Sequence, residues 1–107
     1  MKLGFKTAPQ RVDWATLDAI WGLAGTLDVF DSAWTFDHFH ATPDTTDEMT
    51  FEAFTTLSAV AGVTSRVRLG HMVICAGYRN PALVAKLTST LDIVSGGRFE
   101  LGIGGGW

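Results

Sequence analysis

Val67-Arg68-Leu69-Gly70-His71-Met72-Val73-Ile74-Cys75, then Asn80-Pro81-Ala82-Leu83-Val84, then Ser95-Gly96-Gly97-Arg98-Phe99-Glu100-Leu101-Gly102-Ile103: this stretch decides the fold. Residues 67–75 are mostly apolar without strict alternation, the pattern of a strand covered on both faces in a parallel sheet. Asn80-Pro81 starts a helix, since an asparagine side chain accepts from free amides and a first-turn proline needs no bonded N–H. Leu83, Val84, Leu87, Leu91 and Val94 give that helix one apolar face, and Gly96-Gly97 releases it into a strand over 98–103.

Working toward the N-terminus, Phe54, Leu57 and Ala61 predict a helix over 51–62, preceded by a polar, exposed loop at 41–49. Ser32-Ala33-Trp34-Thr35-Phe36 predicts a strand whose C-terminal end carries Asp37-His38-Phe39-His40. Leu17, Ile20, Trp21 and Ala24 predict a helix over 14–25, capped by Asp13 and stopped by Gly25. Leu3 and Phe5 alternate with Gly4 and Lys6 as a strand over 2–6. The order β-α-β-α-β-α-β, at about 30 residues per unit, implies parallel strands with right-handed crossovers. A small doubly wound sheet would share that order. Polar chemistry at the strand ends and single-faced helices favour the α/β class in its barrel form: four parallel strands and three helices, the N-terminal half of a (β/α)8 TIM-type barrel.

The composition narrows the function. Across 107 residues, 47% are hydrophobic and 18% charged, enough for one cored unit. Eight basic against eleven acidic side chains leave no basic stripe, so nucleic acid is not an expected partner. No stretch approaches the roughly 20 apolar residues of a membrane span, and the N-terminus lacks a signal-type apolar core; a cytoplasmic protein with no membrane partner is expected. The single cysteine, Cys75, lies in an apolar run; it points to a reduced compartment, a buried structural thiol and no metal centre.

Three blocks carry a resemblance: Trp34-Thr35-Phe36-Asp37-His38-Phe39, Tyr78-Arg79-Asn80-Pro81-Ala82-Leu83-Val84-Ala85-Lys86, and Leu91-Asp92-Ile93-Val94-Ser95-Gly96-Gly97-Arg98-Phe99. In this order and spacing the chain resembles the luciferase-like monooxygenase family, and is most similar to its branch that uses coenzyme F420. The resemblance implies one partial barrel domain over 1–107, truncated after strand four. It implies a cofactor, F420 or alternatively FMN, that exchanges hydride or oxygen with a small organic substrate. The phosphate grip of such barrels comes from loops after strands seven and eight, so the chain alone is expected to bind cofactor weakly and to be inactive. Open strand edges make a homo-oligomer expected, and a non-catalytic, self-associating half barrel is the competing reading.

The resemblance also places residues. His38 is the catalytic candidate, an imidazole that can exchange a proton while a hydride moves. Asp37 is placed near the cofactor ring. Met72, Val73 and Ile74 are to form a bulge behind it, with a non-proline cis peptide at Met72-Val73. Gly104, in the run Gly102-Ile103-Gly104-Gly105-Gly106, is read as leaving room for a ring system at the mouth of strand four. Trp107 stands about where some sugar-phosphate-oxidising relatives carry an acidic residue. For Arg79 a carboxylate partner is the plainer reading; His71 reads as a hydrogen-bonded core residue and His40 as a solvated loop residue.

Overall fold

Residues 1–43 and 47–106 are described by a computed structural model. The elements are β1 (Gly4–Lys6), α1 (Trp14–Thr26), β2 (Ser32–Thr35), α2 (Ala53–Val63), β3 (Arg68–His71), β4 (Ile74–Cys75), α3 (Pro81–Val94), β5 (Phe99–Glu100) and β6 (Ile103–Gly104). Strands β1, β2, β3 and β5 pair in parallel in that order, and β4 pairs with β6 in a second parallel sheet. The expected α/β order and the three helices are present. The strands predicted over 67–75 and 98–103 are each interrupted, the first at a cis Met72–Val73 peptide. Met72 N still donates to Thr35 O at 2.6 Å, whereas Ile74 N donates to Gly102 O at 2.9 Å. The chain therefore leaves its β2 neighbour at the bulge and continues against the other side.

Side chains alternate across the sheet. Phe5, Ala33, Leu69 and Phe99 face the helices and pack with Leu17, Trp21, Phe54 and Leu57. Trp21 is fully buried and donates its indole N–H to Thr7 Oγ1 at 2.9 Å. The opposite face, which would be a barrel's interior, holds Trp34 lying across Gly70: a Cβ there would come within 2.3 Å of Trp34 Cζ3. Arg68 pairs with Glu100 on this face.

Local chemistry sets the boundaries. Asp13 accepts from Thr16 N and Asn80 from Ala82 N, as their positions before the helices predict. Helix α2 begins two residues later than predicted, because Glu52 accepts from Thr55 N as its cap, and Phe51 packs edge-on against Trp14 instead. Gly25 does not end α1, which runs to Thr26; it lets the helix approach Thr64, whose Cγ2 would lie 3.1 Å from a Cβ at that position. The loop predicted over 41–49 falls partly outside the described residues, yet its start is anchored: Ala41 is buried, and the Gln10 carboxamide bonds both Thr42 N and Thr42 O. Gly96 and Gly97 take left-handed φ angles of 72° and 79°. They turn the chain so that Arg98 reaches Ala61 O and Thr64 O, covering carbonyls left free at the end of α2, and Val67 O just before β3.

His71 departs from expectation. It is fully buried between Phe54 and Phe99, and neither ring nitrogen has a hydrogen-bond partner among the described residues. Its register neighbour Thr35 is also buried with an unpartnered hydroxyl. Burial pushes the imidazole pKa below its ordinary value, against weaker opposing contributions from the Ala53 backbone and the Asp37 and Glu52 carboxylates. The unfolded chain then binds more protons, so the stability present above about pH 6.5 is lost as pH falls toward the lowered folded-state value. Melting temperature is expected to drop between about pH 7 and about pH 5, and to drop less in His71→Leu. Parallel curves for the two proteins would refute this account.

Candidate active site

The strands' C-terminal ends converge on a cavity of about 460 Å³. β1 contributes Lys6, and the segment after β2 contributes Phe36, Asp37 and His38. The bulge contributes Met72 and Val73, and β4 contributes Ile74 and Cys75. Phe39 and Tyr78 stack at the rim with ring centroids 4.1 Å apart. Five of the six residues expected at the cofactor or in catalysis therefore share one cavity. Gly104 is the exception, for it lies behind Val73.

Gly104 has a packing reason to be glycine. A Cβ there would meet Val73 Cγ2 at 2.6 Å, and one at Gly102 would meet His71 O at 2.0 Å. Strand four is stripped of side chains where the bulge presses against it. Gly106 does reach the cavity, at φ 87°, and a Cβ there would lie 2.8 Å from Cys75 Sγ. Cys75 is thus half-buried on the cavity wall and not sealed in the core.

Asp37 is buried, with side-chain exposure of 1%. Arg79 grips it with two parallel bonds, Nη1 to Oδ2 at 2.6 Å and Nη2 to Oδ1 at 2.8 Å. Oδ2 also accepts from Cys75 N at 3.1 Å. That amide is the donor left over when β4 departs from β2, so the carboxylate replaces a missing strand neighbour. Arg79 Nη2 bonds Glu52 as well, and the guanidinium lies over the Phe39 and Phe54 rings. The bonds to Asp37 raise the Arg79 pKa further above its ordinary value, against burial. Burial also pushes the Glu52 carboxyl up, but the Thr55 and Arg79 bonds outweigh it and leave the group below its usual range. The carboxylate partner read for Arg79 is real and double. Glu52 was missed in the sequence, although a carboxylate directly before the apolar stripe of a helix is itself a cap signal.

His38 is half-buried, and its ring meets Phe36 edge-on at 4.6 Å. The Lys6 ammonium sits 5.2 Å from the centre of the same Phe36 ring. His40 is exposed at the rim, and Trp107 lies outside the described residues. Among the described residues no three His, Cys, Asp or Glu are grouped to hold a metal ion.

Parallel βα units with polar side chains gathered at the strands' C-terminal ends are the arrangement of part of a TIM-type barrel. The chain belongs to the luciferase-like monooxygenase family, whose pattern residues 24–107 match. It is 38% identical over 65 residues to an uncharacterized protein of Mycobacterium tuberculosis, covering 61% of this chain and 23% of that protein. With the pyrimidine monooxygenase RutA of a Bradyrhizobium species it shares 41% over 56 residues, 52% of this chain and 15% of the relative. An F420-dependent secondary alcohol dehydrogenase, solved with an F420-acetone adduct, superposes with TM-score 0.77 and 25% identity over 95% of this chain and 31% of its own. The match spans less than a third of each of these proteins. No described helix is long and apolar enough to cross a membrane.

Removing the Asp37 carboxylate strands a buried guanidinium and a β4 amide. Asp37→Ala should destabilise the fold by about 3–5 kcal/mol, read by urea unfolding. Adding Arg79→Leu to that variant should recover part of the loss. A change within about 0.5 kcal/mol would show that the pair does not hold the mouth together.

Proposed function

We propose that the chain forms part of the cofactor mouth of an oxidoreductase that passes hydride or oxygen between a reduced F420-type deazaflavin, alternatively FMN, and a small organic substrate. One observation carries the reading: Asp37, His38, Met72, Val73 and Ile74, far apart in sequence, line a single cavity. The cavity fits a planar ring. Met72 and Val73 are exposed at 50% and 44% although apolar, and Phe36 and Tyr78 offer aromatic surface nearby. When bound, the cofactor supplies hydride, and reduced FMN can in addition activate oxygen.

The chain's own groups have separable tasks. Met72, Val73 and Ile74 back the ring, with the bulge held against it by Gly102 and Gly104. His38, steadied by Phe36, gives or takes a proton at an imidazole nitrogen beside the reacting centre. Asp37 acts through Cys75 N and Arg79, keeping the mouth in shape, and its Oδ1 retains acceptor capacity toward the ring. The stacked Phe39 and Tyr78 limit water entry. The cofactor's phosphate-bearing tail belongs to later barrel loops, so this stretch alone binds weakly and does not turn over. The single thiol fits a reduced, cytoplasmic setting.

A specific feature favours self-association beside this role. In the described sheet β1 and β5 are edges, and Leu101 and Ile103 are exposed at 44% and 57%. A second copy would cover them.

Fluorescence titration of the chain with F420 and with FMN, with size-exclusion chromatography on the same sample, tests both points. Weak quenching by F420 that exceeds FMN, from a dimeric species, is expected; no quenching by either refutes a ring-binding mouth. In the protein carrying its whole barrel, His38→Ala should lower turnover by at least ~10²-fold. Unchanged turnover would remove His38 from the chemistry.

A further inference from the structure

The cavity carries a charge that the proposed redox chemistry does not use. Lys6 ends β1 on the interior face of the sheet, where its exposed side chain lines the cavity. Its ammonium meets the face of Phe36, and among the described residues no carboxylate lies within ion-pair distance of it. The one acidic side chain lining the cavity, Asp37, is already neutralised by a bidentate guanidinium. The wall therefore presents a cation without a counter-charge among the described residues, placed to meet an anion that enters the cavity.

Its place in the sheet says which part of a bound molecule it meets. The order β1-β2-β3 sets Lys6 on one side of the cavity, the Phe36-to-His38 segment in the middle and the Met72-Val73 bulge on the far side. Two strand spacings, about 10 Å, separate the β1 and β3 positions. A ring resting against the bulge thus leaves His38 facing the next layer of the cavity and Lys6 beyond it. We propose that Lys6 is a specificity-determining residue, and that the substrate is a small, flat organic molecule carrying a carboxylate or similar oxyanion that pairs with Lys6. The substrate is then held with its reacting carbon beside His38. This rests on the reading of the cavity as a redox mouth. Phe36 serves both neighbours: its face steadies the ammonium and its contact with the imidazole fixes the angle between anion site and proton carrier.

The test uses benzoate, with neutral benzamide as its isosteric control, titrated into the ¹⁵N-labelled chain and followed by amide shifts at His38 and Cys75. Benzoate is expected to bind saturably and benzamide at least about tenfold more weakly. Lys6→Met should weaken benzoate by about tenfold while leaving benzamide unchanged, and Lys6→Arg should restore most of the difference. Rising sodium chloride should weaken benzoate alone, a readout that holds even if the methionine variant fails to fold. Equal affinity for benzoate and benzamide, or a Lys6→Met chain that binds benzoate normally, overturns the proposal. Riboflavin and FMN titrated in parallel separate the two sources of an anion. If FMN outbinds riboflavin and the advantage disappears in Lys6→Met, Lys6 grips the cofactor's phosphate and the substrate assignment falls. If neither flavin nor F420 binds but benzoate still discriminates through Lys6, the anion site stands and the redox reading alone fails.

Discussion

The bidentate bond between Asp37 and Arg79 is the constraint on which the mouth of this structure depends. It joins the end of β2 to the turn before α3, and through Cys75 N and Glu52 it also holds β4 and the start of α2. Four segments at this end of the sheet are tied by one carboxylate and one guanidinium. A planar fork suits the task where a lysine would not, because it satisfies two carboxylates and stacks on two rings at once. The consequence is a cavity whose wall is fixed from behind by polar bonds, with Phe36, Met72, Val73 and Tyr78 set beside polar groups on its surface.

The glycines follow from the same geometry. Where β3 gives way to β4, the bulge moves toward strand four, and only residues without a Cβ can accept it: Gly102 faces His71 O and Gly104 faces Val73. On the interior face Gly70 makes the complementary concession to Trp34. The glycine-rich tail, which in isolation suggests room left for a ring system, is at Gly102 and Gly104 the negative imprint of the neighbouring strand. Burial on the helix side then exacts the opposite arrangement, with His71 and Thr35 sealed into the layer that the helices cover.

Charge is distributed unevenly around the cavity. The acidic groups near it, Asp37 and Glu52, converge on Arg79 behind the wall, while Lys6 stands at the front over Phe36. Apolar surface at the bulge and a cation two strands away give the cavity two chemically distinct ends, with an imidazole between them.

The sequence by itself determined the order of elements, because helical and strand periodicity, Asp13, Asn80-Pro81 and Gly96-Gly97 act through bonds only a few residues long. With the resemblance carried by the blocks at 34–39, 78–86 and 91–99 it also determined the family. Tertiary structure alone decided the partners. Glu52 became the second acceptor for Arg79, Gly25 became a helix contact, and Lys6 entered the cavity, because each depends on a neighbour 27 or more residues away that no local pattern encodes. The division of strands three and four was likewise set by space: an apolar run says that a strand is covered, whereas the place where it must leave one neighbour for another is fixed by the side chains that the neighbour brings.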